Sequence, residues 1–170
     1  MFMDFLRNNK IAAGVLTFLR VYLGYQWLTA GWGKVFGAEP FNAGGYLNGA
    51  INNEAVIEQY PTYHAFLENF ALPNADLFSF MVAWGELLVG LGLILGVLTT
   101  AAAFFGITMN FAFMFAGTVS SNPWMILLTI FILAAGYNAG KFGGDRWVIP
   151  YIRSIIFKDK FTPDTDKRAA

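Results

Sequence analysis

Cysteine is absent from the 170 residues of this chain, and histidine occurs once, as His64. Without a thiolate there is no disulfide exchange, no cysteine-ligated iron–sulfur cluster and no covalently attached c-type haem. A single histidine cannot supply two imidazoles to a haem, nor the three or four ligands that a metal site normally needs. His64 therefore reads as an exposed loop residue, and no metal is expected. Charge is scarce as well: Asp, Glu, Lys and Arg make up 13% of residues, while hydrophobic residues make up 56%. Soluble domains carry roughly a quarter charged residues, so a water-soluble fold is disfavoured. Lys and Arg are missing altogether from residues 35–140.

What is present instead is four long apolar runs: Ile11 to Val35, Leu77 to Leu98, Thr100 to Val119, and Trp124 onward past Ala139. Each approaches the ~20 residues that cross a hydrocarbon core as a helix. The expected fold is all-α, a transmembrane antiparallel four-helix bundle with a long outer loop, forming one membrane domain over residues 1–170. Its spans are placed at about 11–35, 77–98, 100–119 and 124–140, with the outer loop at 36–76 and a tail at 141–170. Small-xxx-small pairs at Gly92 and Gly96, Ala102 and Gly106, and Gly136 and Gly140 suit close helix packing in lipid. The first run is too long for a signal h-region and lacks an A-x-A cleavage site, so it reads as a retained span.

Basic residues set the orientation. Arg7 and Lys10 precede the first run, and Lys141, Arg146, Arg153, Lys158, Lys160, Lys167 and Arg168 follow the last. The positive-inside rule puts both termini in the cytoplasm of a multi-pass cell-membrane protein and the loop outside. The basic tail after Lys158 reads as a solvated end with access to anionic headgroups. The lipid bilayer is the first expected partner, and no nucleic acid is expected.

Glu86 lies near the middle of the second run and Arg20 within the first, and an ionisable residue at such depth marks a functional-site hypothesis. At ~1.5 Å per residue from the cytoplasmic ends, Arg20 falls roughly 12 Å in, Asn110 roughly 15 Å and Glu86 roughly 18 Å. One shared layer follows, with an Arg20–Glu86 contact and Asn110 nearby, because an isolated ion there is untenable. Two readings of that layer stay open. In one the pair fixes helix register and nothing more. In the other it is a polar site in which Arg20 donates to a carbonyl or an anion and Glu86 accepts or relays a proton, as quinone chemistry requires. Trp27 and Trp84 come at similar depth and could flank a planar ligand, with lipid-facing packing the simpler role for Trp84.

Arg20, Gly24, Trp27, Gly31 and Lys34 form one stripe along the first helix. Lys34 breaks the positive-inside pattern, so it snorkels, is held by an outer-loop acid such as Glu39, or attracts an anionic substrate. In the outer loop, Gly44-Gly45 and Asn52-Asn53 mark turns, and Tyr63 to Phe70 suits a short helix before Pro73. A lid or a docking surface would fit there. Asp145, after Gly143-Gly144 at the cytoplasmic mouth, reads as a cap on the helix beginning at Arg146, with a proton inlet as the second reading.

Three stretches together resemble the DoxX family. They are Arg20-Val-Tyr-Leu-Gly24 with Gly31-Trp-Gly-Lys34, then Trp84-Gly-Glu86 through Gly96-Val-Leu-Thr99, and finally Gly143-Gly-Asp145. The resemblance runs from about Ile11 to Trp147. It implies a small four-span membrane protein related to the membrane subunit of thiosulfate:quinone oxidoreductase. By the same resemblance Arg20, Lys34, Glu86 and Asp145 match recurring polar positions of the family, quinone is the implied cofactor, and a second oxidoreductase subunit or another copy of the chain is the implied partner. The alternative is a non-catalytic membrane component, such as an assembly factor or small-solute transporter.

Overall fold

The computed structural model describes residues 1–157, and every regular element among them is helical. The expected contact of Lys158 and the residues after it with headgroups lies outside that range. A short α1 (Phe2–Asn8) leads into α2 (Lys10–Phe36) through Asn9, whose side chain accepts from the amides of Ile11 at 2.7 Å and Ala12 at 3.3 Å. That is an N-cap, satisfying amides the first turn leaves open. Between α2 and α6 (Ala75–Leu95) the chain folds into α3 (Gly44–Ile51), α4 (Glu54–Gln59), α5 (Pro61–Phe66) and one π-helical turn, Leu67–Ala71. The remainder is α7 (Thr99–Phe115), α8 (Asn122–Ala135), α9 (Tyr137–Gly140) and α10 (Asp145–Phe157). Gly96 ends α6 in the left-handed conformation at φ 63°, a common helix stop that glycine adopts without strain.

The bundle is built on α2 against α6, antiparallel and in backbone contact. Gly31 faces Leu87, Gly90 faces Leu28 and Gly24 faces Ile94, and none of the three has room for a Cβ. Glycine permits this approach because the helix backbones themselves are the packing surfaces. The same pairs set the register: extrapolated residue for residue, Arg20 stands level with Leu98 and Phe36 with Val82. The start of α6 therefore runs about two turns past the end of α2, and the start of α2 about three and a half turns past the end of α6.

Each overhang is covered by a different part of the chain. At one end the start of α6 runs past α2 and carries the segment 37–74, which folds over it as a cap. The cap has its own core of Ala43, Leu47, Ala50, Val56, Leu67 and Ala71, closed by Ala116 at the end of α7. It is tied to α6 where the Ala43 amide donates to Ser79 Oγ at 2.8 Å. It is tied to the end of α7 where Tyr63 donates to the Ala112 carbonyl at 3.1 Å and Tyr46 to the Phe113 carbonyl at 3.3 Å. At the other end the start of α2 runs past α6. There Asn138 Nδ2 donates to the Leu6 and Asn9 carbonyls at 2.8 and 3.1 Å, and Arg7 donates to the Ala134 carbonyl.

The bundle is apolar outside as well as inside. Phe18, Val21 and Tyr25 of α2, Phe80, Leu88 and Leu95 of α6, Phe104 and Phe105 of α7, and Leu127 and Ile130 of α8 are all exposed. The interior holds Arg20, Glu86, Thr99, Asn110 and Thr129. Helices that are apolar all round belong to large cores or to membranes. Among the described helices Ala75–Leu95 alone combines spanning length with high hydropathy, at a mean of 1.9. Arg20, Gln26 and Lys34 interrupt the longer α2, whereas α7 has 17 residues and α8 has 14, fewer than the ~20 of a full perpendicular span.

Candidate functional site

Glu86, on the face of α6 turned to α2, pairs with Lys34: Nζ stands 2.6 Å from Oε2, and the Glu86 side chain is 4% exposed. Lys34 also reaches the Ala30 carbonyl at 3.4 Å and lies 5.4 Å from the centre of the Phe41 ring. Neither Glu39 nor simple snorkelling accounts for Lys34, because the stagger brings the cap end of α2 level with the middle of α6. Glu86 thereby gains a cation at the depth where an unpaired carboxylate would be untenable.

The expected Arg20–Glu86 contact is not formed. Arg20 is buried, with Nη1 donating to the carbonyls of Leu93 at 2.5 Å and Ile94 at 2.8 Å, and Nη2 to Phe142 at 3.4 Å. Its level on α6 is twelve residues from Glu86 by the register of the glycine contacts, about 18 Å along the axis. The depth count failed because it set the cytoplasmic ends of the two helices flush, whereas α2 begins well beyond the end of α6. Arg20 instead serves the last turn of α6, whose carbonyls have no partners within the helix.

Asp145 completes the same knot and corrects a second expectation. Its carboxylate accepts from the Leu98 amide at 2.6 Å and the Thr99 amide at 3.1 Å, so it caps α7 from across the bundle. The Gly144 amide donates to the Leu95 carbonyl and the Asp145 amide to the Gly96 carbonyl, at 3.0 and 2.7 Å. Opposite charges thus sit on opposite helix ends, a cation at a C-terminus and an anion at an N-terminus, each the stabilising sign for the helix dipole. Gly143 packs on the Gly96 backbone and the Arg20 guanidinium with no space for a side chain.

Two cavities meet at Glu86. One, of about 300 Å³, lies beneath the cap and is walled by Phe41, Tyr46, Leu47, Tyr63, Phe66, Phe78, Val82 and Phe113, with Lys34 and Glu86 at one side. The other, of about 430 Å³, lies between α2, α7 and the start of α8 and is lined by Gln26, Trp27, Thr29, Glu86, Asn110 and Asn122 among others. Asn110 is fully buried, and neither atom of its amide has a hydrogen-bond partner. Trp27 is buried at this second cavity, but Trp84 is on an outer face, 41% exposed and packed on Phe80. The two indoles therefore do not flank one ligand. Trp84 is two residues from Glu86 and so points well around the helix.

In the cap, burial pushes the Tyr63 hydroxyl up to about 12, with nearby Tyr46 adding to the shift. Tyr46 is raised by burial too, against the opposing hydrogen bond to Thr118. His64 is half-buried, and its Nε2 lies 3.0 Å from the Ile51 carbonyl. The expected loop helix begins earlier than predicted, at Pro61, and passes into the π turn at Leu67.

The sequence reasoning picked out Lys34, Glu86, Asn110 and Trp27, which the fold gathers around the two cavities. It missed Tyr46, Tyr63 and Phe78, for which a loop rich in aromatics carries no pairing signal. It also missed Gln26 and Asn122, although an amide inside or beside an apolar run is a legible anomaly. No curated protein and no solved structure matches the chain. The DoxX family model matches residues 15–118, more than half of the chain, from within α2 through the cap to just past the end of α7. The chain therefore belongs to the DoxX family, and is a helical, membrane-associated protein.

Proposed function

We propose that this protein is a four-span membrane protein that binds a quinone in the cavity beneath its cap, as one subunit of a membrane oxidoreductase. The observation that carries the reading is the Lys34–Glu86 pair, a half-buried donor and a buried acceptor of protons in the wall of an otherwise largely apolar cavity. Apolar pockets with a few convergent polar groups are the usual form of small-molecule sites, and about 300 Å³ is at the small end of their range. A ring headgroup fits that size, and an isoprenoid tail fits the apolar outer faces of the helices. When bound, a quinone supplies two-electron, two-proton chemistry.

The chain's own part is positioning and proton handling. Lys34 Nζ has one donor to spare for a ligand carbonyl beyond those to Glu86 and Ala30. Glu86 is held by Lys34 at the wall of the cavity, where a carboxyl can give up or take a proton at a fixed place. Phe41, Phe78 and Phe113 present ring faces and edges to a planar ligand. Arg20 and Asp145 are assigned to holding the ends of α6 and α7, and not to the ligand. In this reading α2, α6, α7 and α8 cross the bilayer with both termini in the cytoplasm, as the basic residues require. The cap then faces outside. The electron donor comes from a partner subunit, since neither cysteine nor a haem ligand pair is available in the sequence.

Quinone content of protein purified from its native membrane tests the reading. Wild type is expected to carry quinone in fixed ratio, Glu86→Gln and Lys34→Met to lose most of it, and a folded Arg20→Lys variant to keep it. Equal quinone in all four, or none in the wild type, overturns the proposal and moves the function to transport or assembly.

A further inference from the structure

Asn110 leaves an amide donor and an amide acceptor unmade in the interior, and it belongs to the wall of a cavity. The other walls repeat this chemistry: Gln26 and Thr29 from α2, and Ser121 and Asn122 from the start of α8. At about 430 Å³ the cavity has room for several waters, and a polar, roomy site with two to four partners per water is where buried water is stable. Ser121, in the turn between α7 and α8 at the cap end, is half-buried at its rim, which is the way out. Its inner wall is Glu86, whose other side borders the aromatic cavity.

We propose that this amide-lined cavity is a hydrated proton port, through which the Glu86 carboxyl exchanges its proton with the cap-end surface past Asn110, Gln26 and Asn122. The port extends the reading of Glu86 as a proton-handling group and rests on that reading's choice of carboxyl, but it needs no quinone. The step is a proton exchange alone: a proton leaves the Glu86 oxygen for a water in the port and another returns along the same chain. The ionisable groups facing Glu86 are Lys34 from α2 and, across the aromatic cavity, Tyr46 from α3 and Tyr63 from α5. The walls from α7 and α8 bring only uncharged groups, Asn110, Ser121 and Asn122 among them. Such groups can relay a proton through water without trapping it as a charge.

Radiolytic hydroxyl labelling in lipid nanodiscs reads the water directly. Trp27 and Met125 line the port yet are 4% and 5% exposed, so dry packing predicts almost no labelling. With a hydrated port Trp27 labels at a rate near that of Trp147, and Met125 near that of Met1, exposed residues of the same types outside the spanning helices. Asn110→Leu, which removes a polar partner of the water, lowers that rate on the order of tenfold. The conservative Asn110→Ser keeps it. Time-resolved infrared spectra after a pH jump, read at the carboxyl band that Glu86→Gln removes, should show the same slowing in Asn110→Leu and the same rescue in Asn110→Ser. Trp27 and Met125 labelling at the background of the packed core in wild type overturns the port. So does a carboxyl response that Asn110→Leu leaves unchanged. Neither readout depends on quinone content, so loss of the quinone reading and loss of the port are separate results.

Discussion

Lys34 and Glu86 differ in what their burial demands. The lysine side chain is 26% exposed and the glutamate 4%, so removing the lysine leaves a buried carboxylate without its cation. Breaking a buried pair from one side costs about 3–5 kcal/mol, whereas replacing both partners with apolar groups of similar size is often neutral. Lys34→Met alone should therefore lower the thermal unfolding midpoint more than Lys34→Met combined with Glu86→Leu. A double variant less stable than the single one would show that the pair is a net stabiliser. Arg20 poses a different problem, because its partners are carbonyls. Arg20→Met removes two short charge-assisted bonds to the end of α6, each about 1.5–3 kcal/mol, and should destabilise the bundle while leaving Lys34–Glu86 geometry intact.

At the level of elements, the junctions carry the specificity. Asp145 holds the first amides of α7 from a distant segment, so Asp145→Asn should cost about 1 kcal/mol, the usual worth of an anionic cap on a helix start. Hydrogen exchange should show the first turn of α7 opening before its middle. If protection is lost uniformly along α7, the capping role fails. The cap is clamped by tyrosines to the last carbonyls of α7, and Tyr63 titrates at about 12 because the folded state favours its neutral form. The sign follows: the contribution is complete below the ordinary tyrosine value of ~10 and is lost as pH rises from there toward the folded value. Thermal unfolding in detergent should weaken across that interval, and Tyr63→Phe should flatten the slope after losing about 1 kcal/mol at neutral pH.

For the whole molecule, the stagger of α2 against α6 decides the architecture. A flush pair would have placed Arg20 beside Glu86 in one layer. The stagger instead separates a structural knot at the tail end from a ligand-sized site at the cap end. It also leaves one bare helix end for the cap and another for α1 and α9 to cover. The native lack of cysteine makes topology directly measurable by single-cysteine labelling. Cysteines at Glu58 in the cap should react with an impermeant maleimide added outside cells, and cysteines at Asn8 only after the membrane is opened. Labelling of both from outside would rule out the orientation with shared cytoplasmic termini.

Composition and periodicity were enough for the helical class, the approximate extent of the apolar helices, and the choice of Glu86, Lys34, Asn110 and Asp145 as residues that need a partner. These follow from local chemistry: a charge or an amide in an apolar run stands out whatever it touches, and an acid after a Gly-Gly turn marks a helix start. Which partner each one meets was not legible, because register between two glycine-faced helices depends on where their backbones can approach most closely. Gly31 against Leu87 and Gly90 against Leu28 settle that register. From it follow the exchange of Arg20 for Lys34 beside Glu86, the capping of α7 by Asp145, and the burial of Trp27 while Trp84 faces outward. Loop aromatics such as Tyr63 enter the site only because the overhanging start of α6 gives the cap a surface to fold upon, a consequence of packing that no local pattern encodes.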